Sequence, residues 1–268
     1  MKRNILLLFT FFACITVQGQ TPVRLVDLRS EHLDRPIGLD NPVPRLSWRM
    51  EDGRQGAVQT SWRIVVDEDS LNVVNGCGRM WDSGKNDSRN QLVAYAGKKL
   101  QPFTRYYWKV ICSDMEYKET ASPVSYFETG MMGMQHWQGA WIGDGKDIHY
   151  GPAPYFRKEF KTGKKVKSAR AYIAAAGLYE LYINGEKIGD HCLAPLYTRF
   201  DRRNLYVAYD VTSQLQNGDN AIGVLLGNGW YNHQSKAVWD FDRAPWRNRP
   251  TFCLDLRITY TCLLYTSD

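Results

Sequence analysis

The chain has 268 residues, a formal charge of +6, and 44% apolar against 23% charged residues, close to ordinary soluble domains. That excludes a disordered or collagen-like chain, and at roughly 150 residues per domain it allows one or two folded units. Lys and Arg are scattered rather than clustered, so the positive balance carries no nucleic-acid footprint. Nine Trp and 16 Tyr lean toward β-structure and toward carbohydrate or protein surfaces.

Met1-Lys2-Arg3 is a basic start, Ile5 to Val17 is apolar except for Thr10 and Thr16, and small residues surround Gly19. This is the pattern of a secretory signal over residues 1–20, shorter than the roughly 20 apolar residues of a spanning helix. Retention as a membrane anchor is the alternative. Ala13-Cys14 raises a lipoprotein reading, but Phe11-Phe12-Ala13 is a poor lipobox. No later segment is apolar enough to span a bilayer, so a soluble chain exported to the periplasm or the medium is expected. Of six cysteines, five follow the signal, with no CxxC pair. An odd count without that spacing is neither a disulfide framework nor a zinc site. Buried thiols are the default, and a Cys77–Cys112 bridge stays open.

Residues 22–130 read as short strands between turns. Arg45–Arg49, Ser61–Val66, Gln91–Tyr95, Arg105–Ile111 and Val124–Glu128 are rich in aromatic and β-branched residues and bounded by Pro, Gly, Asp or Asn, the signature of an antiparallel sandwich. Trp48, Tyr106 and Trp108 are expected to point inward as packing. Gly130–Gln135 reads as a hinge. Residues 137–260 give a second series: Tyr155–Phe160, Ala169–Ala176, Tyr179–Ile183, Asn204–Asp210, Gly218–Leu226 and Thr251–Tyr260. Asn184-Gly185 is a strong hairpin signal, since both central residues of a type I′ turn need positive φ. Val211–Leu215 allows at most a turn or two of helix. The fold class expected is all-β, two tandem antiparallel β-sandwiches, the first of fibronectin type III or immunoglobulin kind and the second jelly-roll-like.

Asn41-Pro-Val-Pro-Arg-Leu-Ser-Trp48, Gln59-Thr-Ser-Trp-Arg-Ile-Val-Val66, Trp81-Asp-Ser-Gly84, Leu100–Val110 and Phe127-Glu-Thr-Gly130 resemble the fibronectin-type domain that opens many bacterial α-L-rhamnosidases. Gly177–Gly185, Leu193-Ala-Pro195, Tyr206–Thr212, Gly218–Tyr231 and Arg249-Pro250 resemble the β-sandwich that follows it in those enzymes. The resemblance covers nearly all of residues 22–260. It implies a glycoside hydrolase that releases terminal α-L-rhamnose from plant glycosides and polysaccharides by inversion. Its acid and base carboxylates would stand in an (α/α)6 barrel, roughly 6.5–9.5 Å apart. That barrel lies C-terminal to the two units matched, so no catalytic residue is expected in this chain and the chain alone is expected to be inactive. The five His show no HExxH spacing, and no nucleophile elbow or P-loop occurs. Residues 261–268 match no pattern of the family and read as a truncated or foreign tail.

The resemblance also implies a place for sugar, since the second sandwich of some relatives binds rhamnose with calcium at its loops. Recognition needs directional hydrogen bonds and an aromatic face. The longest loops, 189–204 and 227–250, supply Arg199, Asp201, Arg202, Asn228, Trp230, Tyr231 and Trp239 as sugar-binding candidates. Asp190 and Asp242 are candidates for calcium, which takes oxygen ligands; no other cofactor is called for. Plainer readings stand beside these: Trp230 as a core plug, Asp201-Arg202-Arg203 as a solvated loop or internal ion pair, and Asp210 as a turn residue. The partners expected are rhamnose-containing glycans and the missing barrel, with neither nucleic acid nor a membrane span in the processed chain. The main competing function is a stand-alone exported carbohydrate-binding or adhesion protein. A weaker one is a related glycosidase with another sugar preference.

Overall fold

The computed structural model describes residues 22–236 and 239–261; residues 1–20, read from sequence as a secretory signal, Cys14 with its lipoprotein reading, and all but the first residue of the 261–268 tail lie outside them. Sixteen strands follow among the described residues. They are β1 (Arg24–Ser30), β2 (Ile37–Leu39), β3 (Arg45–Glu51), β4 (Ser61–Asp67), β5 (Trp81–Asp82), β6 (Leu92–Ala94), β7 (Arg105–Ser113) and β8 (Glu119–Ala121). The rest are β9 (Ser125–Thr129), β10 (Tyr155–Thr162), β11 (Val166–Ala176), β12 (Leu178–Ile183), β13 (Glu186–Lys187), β14 (Tyr206–Asp210), β15 (Gly218–Gly227) and β16 (Thr251–Tyr260). The all-β class expected from the sequence is what the chain adopts. The sequence reading did not foresee the five-residue helix α1 (Ser70–Val74), which starts where Asp69 Oδ1 accepts the Leu71 N–H at 2.9 Å, an N-cap bond. No helix among the described residues is long and apolar enough to cross a membrane.

Two compact units result. One holds the described chain up to Asp34 with Arg45–Gly97 and Tyr107–Ser125; the other holds Arg35–Pro44, Lys98–Tyr106 and the described chain from Tyr126 onward. The units interleave in sequence, where composition marks one hinge at residues 130–135. A physical reason lies in β2, which runs parallel to β9 and so draws residues 35–44 to the second unit.

In the first unit, β3 pairs antiparallel with β1 and β6, while β4 lies between β5 and β7, and β7 also takes β8. Ile64, Val66, Trp108 and Val110 are fully buried. Trp48 is buried too, its indole N–H donating to Gln59 Oε1 at 2.9 Å, so the polar atom of a core tryptophan is satisfied. Buried Asp67 accepts bonds from the Arg79 guanidinium and from the Asp69 and Arg79 main-chain N–H groups.

The second unit is built on two sheets, β10-β15-β12-β13 and β14-β11-β16. They share one core. Ala171, Ile173 and Ala175 come from β11, Leu181 and Ile183 from β12, Val224 and Leu226 from β15, and Phe252 from β16. Tyr106, assigned to this unit, is fully buried and takes the Gln101 N–H on its hydroxyl at 2.8 Å. The Asn184-Gly185 corner has φ of 51° and 87°, as the type I′ reading requires. Asp210 makes a turn, its Oδ1 accepting the Thr212 N–H and hydroxyl, and Val211–Leu215 forms no helix. The four described cysteines past residue 21, Cys77, Cys112, Cys192 and Cys253, are free thiols, so the Cys77–Cys112 bridge is not made.

Candidate functional site

Two long loops leave the second sandwich between β13 and β14 and between β15 and β16. The later one carries an aromatic centre, which Tyr197 of the earlier loop joins. Phe241, almost fully buried, stacks on Tyr197 with centroids 5.8 Å apart and meets Trp230 at 5.4 Å, Trp239 at 5.7 Å and Trp246 at 5.9 Å. Such rings attract beyond their area burial. Trp230 also stacks on His233 at 5.1 Å. It is not a core plug, because 41% of it stays exposed, and Trp239 is 78% exposed. Both present broad apolar faces to solvent from a braced loop.

Polar groups hold this loop in place. Asn232, buried, donates to the Ile148 carbonyl at 2.8 Å and to Asn228 Oδ1 at 3.2 Å, and accepts from Arg247 Nε at 3.1 Å. Arg249 donates to both oxygens of Asp144 and to the Tyr150 and Pro152 carbonyls. Its guanidinium holds the Asp144 carboxyl below the ordinary range.

The sequence-predicted residues fall into separate settings. Trp230, Trp239 and Asn228 belong to the aromatic loop. Tyr231 is half-buried against Phe200 at 5.1 Å, and burial raises its phenol pKa. Arg199 forks onto Asp201, Nε to Oδ1 at 2.8 Å and Nη2 to Oδ2 at 3.0 Å, so Asp201 pairs outside the Asp201-Arg202-Arg203 run weighed from sequence, and Arg199 lies 6.0 Å over the Trp246 ring. Arg202 is exposed and lines, with Asp201, a cavity of about 820 Å3 that also takes in Asp40, Trp137, Trp141 and Tyr206. Sequence reasoning missed this cavity, because Asp40 and Trp137 stand far from 199–206 in the chain. It also passed over Tyr197 and His233, whose only signal was their aromatic character inside the two long loops.

Calcium takes six to eight oxygens. Asp190 stands fully in solvent, with His191 Nδ1 at 3.9 Å from its carboxylate. Asp242 Oδ1 is buried without a hydrogen-bond partner, but its carbonyl is taken by Arg247 at 3.0 Å. No three His, Cys, Asp or Glu side chains gather as a metal-binding group among the described residues. These two aspartates do not fit a calcium cage.

The family description "Rha78A-like, N-terminal immunoglobulin domain" matches residues 25–133, and "Alpha-L-rhamnosidase N-terminal domain" matches residues 164–262. A curated "Alpha-L-rhamnosidase" from Formosa agariphila is 32% identical over 94% of this chain and 28% of its own length; one from Alteromonas sp. is 29% identical over 87% and 27%. Among solved structures, an α-L-rhamnosidase from Dictyoglumus thermophilum superposes with a TM-score of 0.80 at 36% identity, over 88% of this chain and 27% of that one. The Streptomyces avermitilis α-L-rhamnosidase complexed with L-rhamnose gives 0.79 at 21% identity, over 89% and 39%, a likeness of fold. The chain spans about 28% of the length of the first curated relatives it matches.

Proposed function

The chain belongs to the α-L-rhamnosidase family through that family's two N-terminal modules, and we propose that it is the non-catalytic front of an exported hydrolase releasing terminal α-L-rhamnose from glycans. The observation that carries this reading is the match of both modules, in order, to a part of the relatives that is only about 28% of their length. Bond breaking falls to a separate domain of the longer polypeptide. The role of these modules is to hold glycan near it, with Trp230 and Trp239 as the faces on which sugar rings rest and Arg199, Asn228 and Tyr231 behind them. Export of the chain, with residues 1–20 removed, belongs to the same reading.

The test is turnover of p-nitrophenyl α-L-rhamnoside by this chain and by the polypeptide that its gene encodes in full. Turnover only by the longer product is expected; turnover by the 268-residue chain would refute the division of labour. Titration of the chain with L-rhamnose, with and without calcium, tests the loop face, and absence of heat in both removes it. A stand-alone glycan binder draws support from the exposure of Trp230 and Trp239; a full-length product without rhamnosidase activity would favour it.

A further inference from the structure

The cavity lined by Arg202 includes neither Trp230 nor Trp239 among its walls. Its volume, about 820 Å3, is that of pockets that take small molecules. Its walls are aromatic: Trp137 and Tyr206 meet edge to face at 5.7 Å, and Trp141 is 46% exposed. Four charged side chains line it, Asp40, Asp201, Arg202 and Arg203. The two carboxylates are engaged. Asp201 is forked by Arg199, and Asp40 Oδ1 accepts the Tyr206 hydroxyl at 2.8 Å and the Met132 N–H at 2.7 Å. Arg202 and Arg203 have no carboxylate partner among the described residues.

The loop presenting these guanidinium groups is ordered by its own bonds. The Arg202 and Arg203 N–H groups both donate to the Arg199 carbonyl at 2.9 Å, and the Thr198 hydroxyl donates to the Arg203 carbonyl. The cavity thus offers two guanidinium side chains that no carboxylate engages beside the partly exposed ring of Trp141.

We propose that this cavity binds a sugar bearing a carboxylate, a uronic acid residue, with Arg202 and Arg203 on the carboxylate and Trp141 against the ring. Guanidinium pairs with carboxylate in a planar two-bond fork, and the pyranose supplies the C–H face. This site does not depend on the rhamnosidase reading.

Titration calorimetry of the purified chain with D-glucuronate and D-galacturonate, each against its neutral parent D-glucose or D-galactose, isolates the carboxylate. Binding of a uronate at least tenfold tighter than its neutral parent is expected, weakening as sodium chloride rises. The doubly substituted R202Q/R203Q chain should lose at least tenfold in uronate affinity, with circular dichroism checking that it folds; both side chains are exposed and outside the core. Uronates that bind no tighter than their neutral parents, or an affinity unchanged in R202Q/R203Q, would overturn the proposal. L-rhamnose in the same titration reports on the loop face alone, so failure of one reading is not failure of the other.

Discussion

Arg170 grips both oxygens of Glu128, Nε to Oε1 at 2.7 Å and Nη2 to Oε2 at 3.1 Å. Arg105 Nε adds a bond to Oε2 at 3.1 Å, and Asp210 takes Arg170 Nη1 at 2.8 Å. The side chains of Arg170 and Glu128 are only 11% and 7% exposed. In such surroundings removing one partner strands the other charge, at a cost of about 3–5 kcal/mol. R170A and E128A are each expected to fall in that range by urea unfolding. Replacing both by apolar residues of like volume should cost less than either. A single-variant loss below about 1 kcal/mol would mean that water reaches the pair, as at an exposed bridge.

The hairpin between β12 and β13 depends on two residues for different reasons. Gly185 sits at φ 87° with open space where a Cβ would go, so G185A meets backbone strain alone, about 1–2 kcal/mol. Asn184 also donates to the Gln214 carbonyl at 2.8 Å and to Asn220 Oδ1 at 2.9 Å, and accepts the Ala221 N–H at 2.8 Å. N184A should therefore cost more than G185A in thermal unfolding, and N184G should recover the backbone part only. Equal losses for N184A and N184G would show that the side-chain bonds dominate.

Asp67 makes the first unit sensitive to acid. Burial works against its charge, but the Arg79 guanidinium and the Asp69 and Arg79 N–H groups outweigh burial and hold the carboxyl well below its ordinary 3.8. A depressed folded-state value means stability that is complete above the unfolded value and is lost as pH falls through the folded one. Unfolding monitored from about pH 5 down to about pH 2 should show progressive destabilisation, with a shallower slope in D67N. An unchanged slope would assign the acid sensitivity to other carboxylates.

Thiol reactivity should split the described cysteines in two. Burial pushes the Cys112 thiol up to about 12 and that of Cys253 up to about 11, and the thiolate is the reactive form. Cys77 and Cys192 are exposed. Brief iodoacetamide treatment near pH 8 followed by peptide mass mapping should label Cys77 and Cys192, and the buried pair only after unfolding. Early labelling of Cys253 would indicate that β16 opens from the sheet.

Strands whose own residues alternate or run apolar, such as β3, β4, β7, β11 and β16, were readable from sequence because each carries its burial pattern locally. The Asn184-Gly185 corner was readable because one dipeptide sets both dihedrals. β2 was not: Ile37–Leu39 is too short to show a period, and it becomes a strand only through its parallel partner β9. The same physics divides the site. Trp230, Trp239 and Arg199 stood out as aromatic and charged residues in long loops. The cavity did not, because its walls come from residues 38–40, 131–141 and 200–206, which only the folded chain brings near one another. The Arg199–Asp201 fork was not legible, since the ion pair weighed lay within Asp201-Arg202-Arg203; it occupies both Asp201 oxygens.

The ring of aromatics around Phe241 gives the β15–β16 connection an anchor that it shares with Tyr197 of the β13–β14 loop, distinct from the sandwich interior. Residues at its rim, Trp239 above all, can therefore be exchanged during descent without disturbing either sheet. Descendants could refit that rim while inheriting its scaffold unchanged.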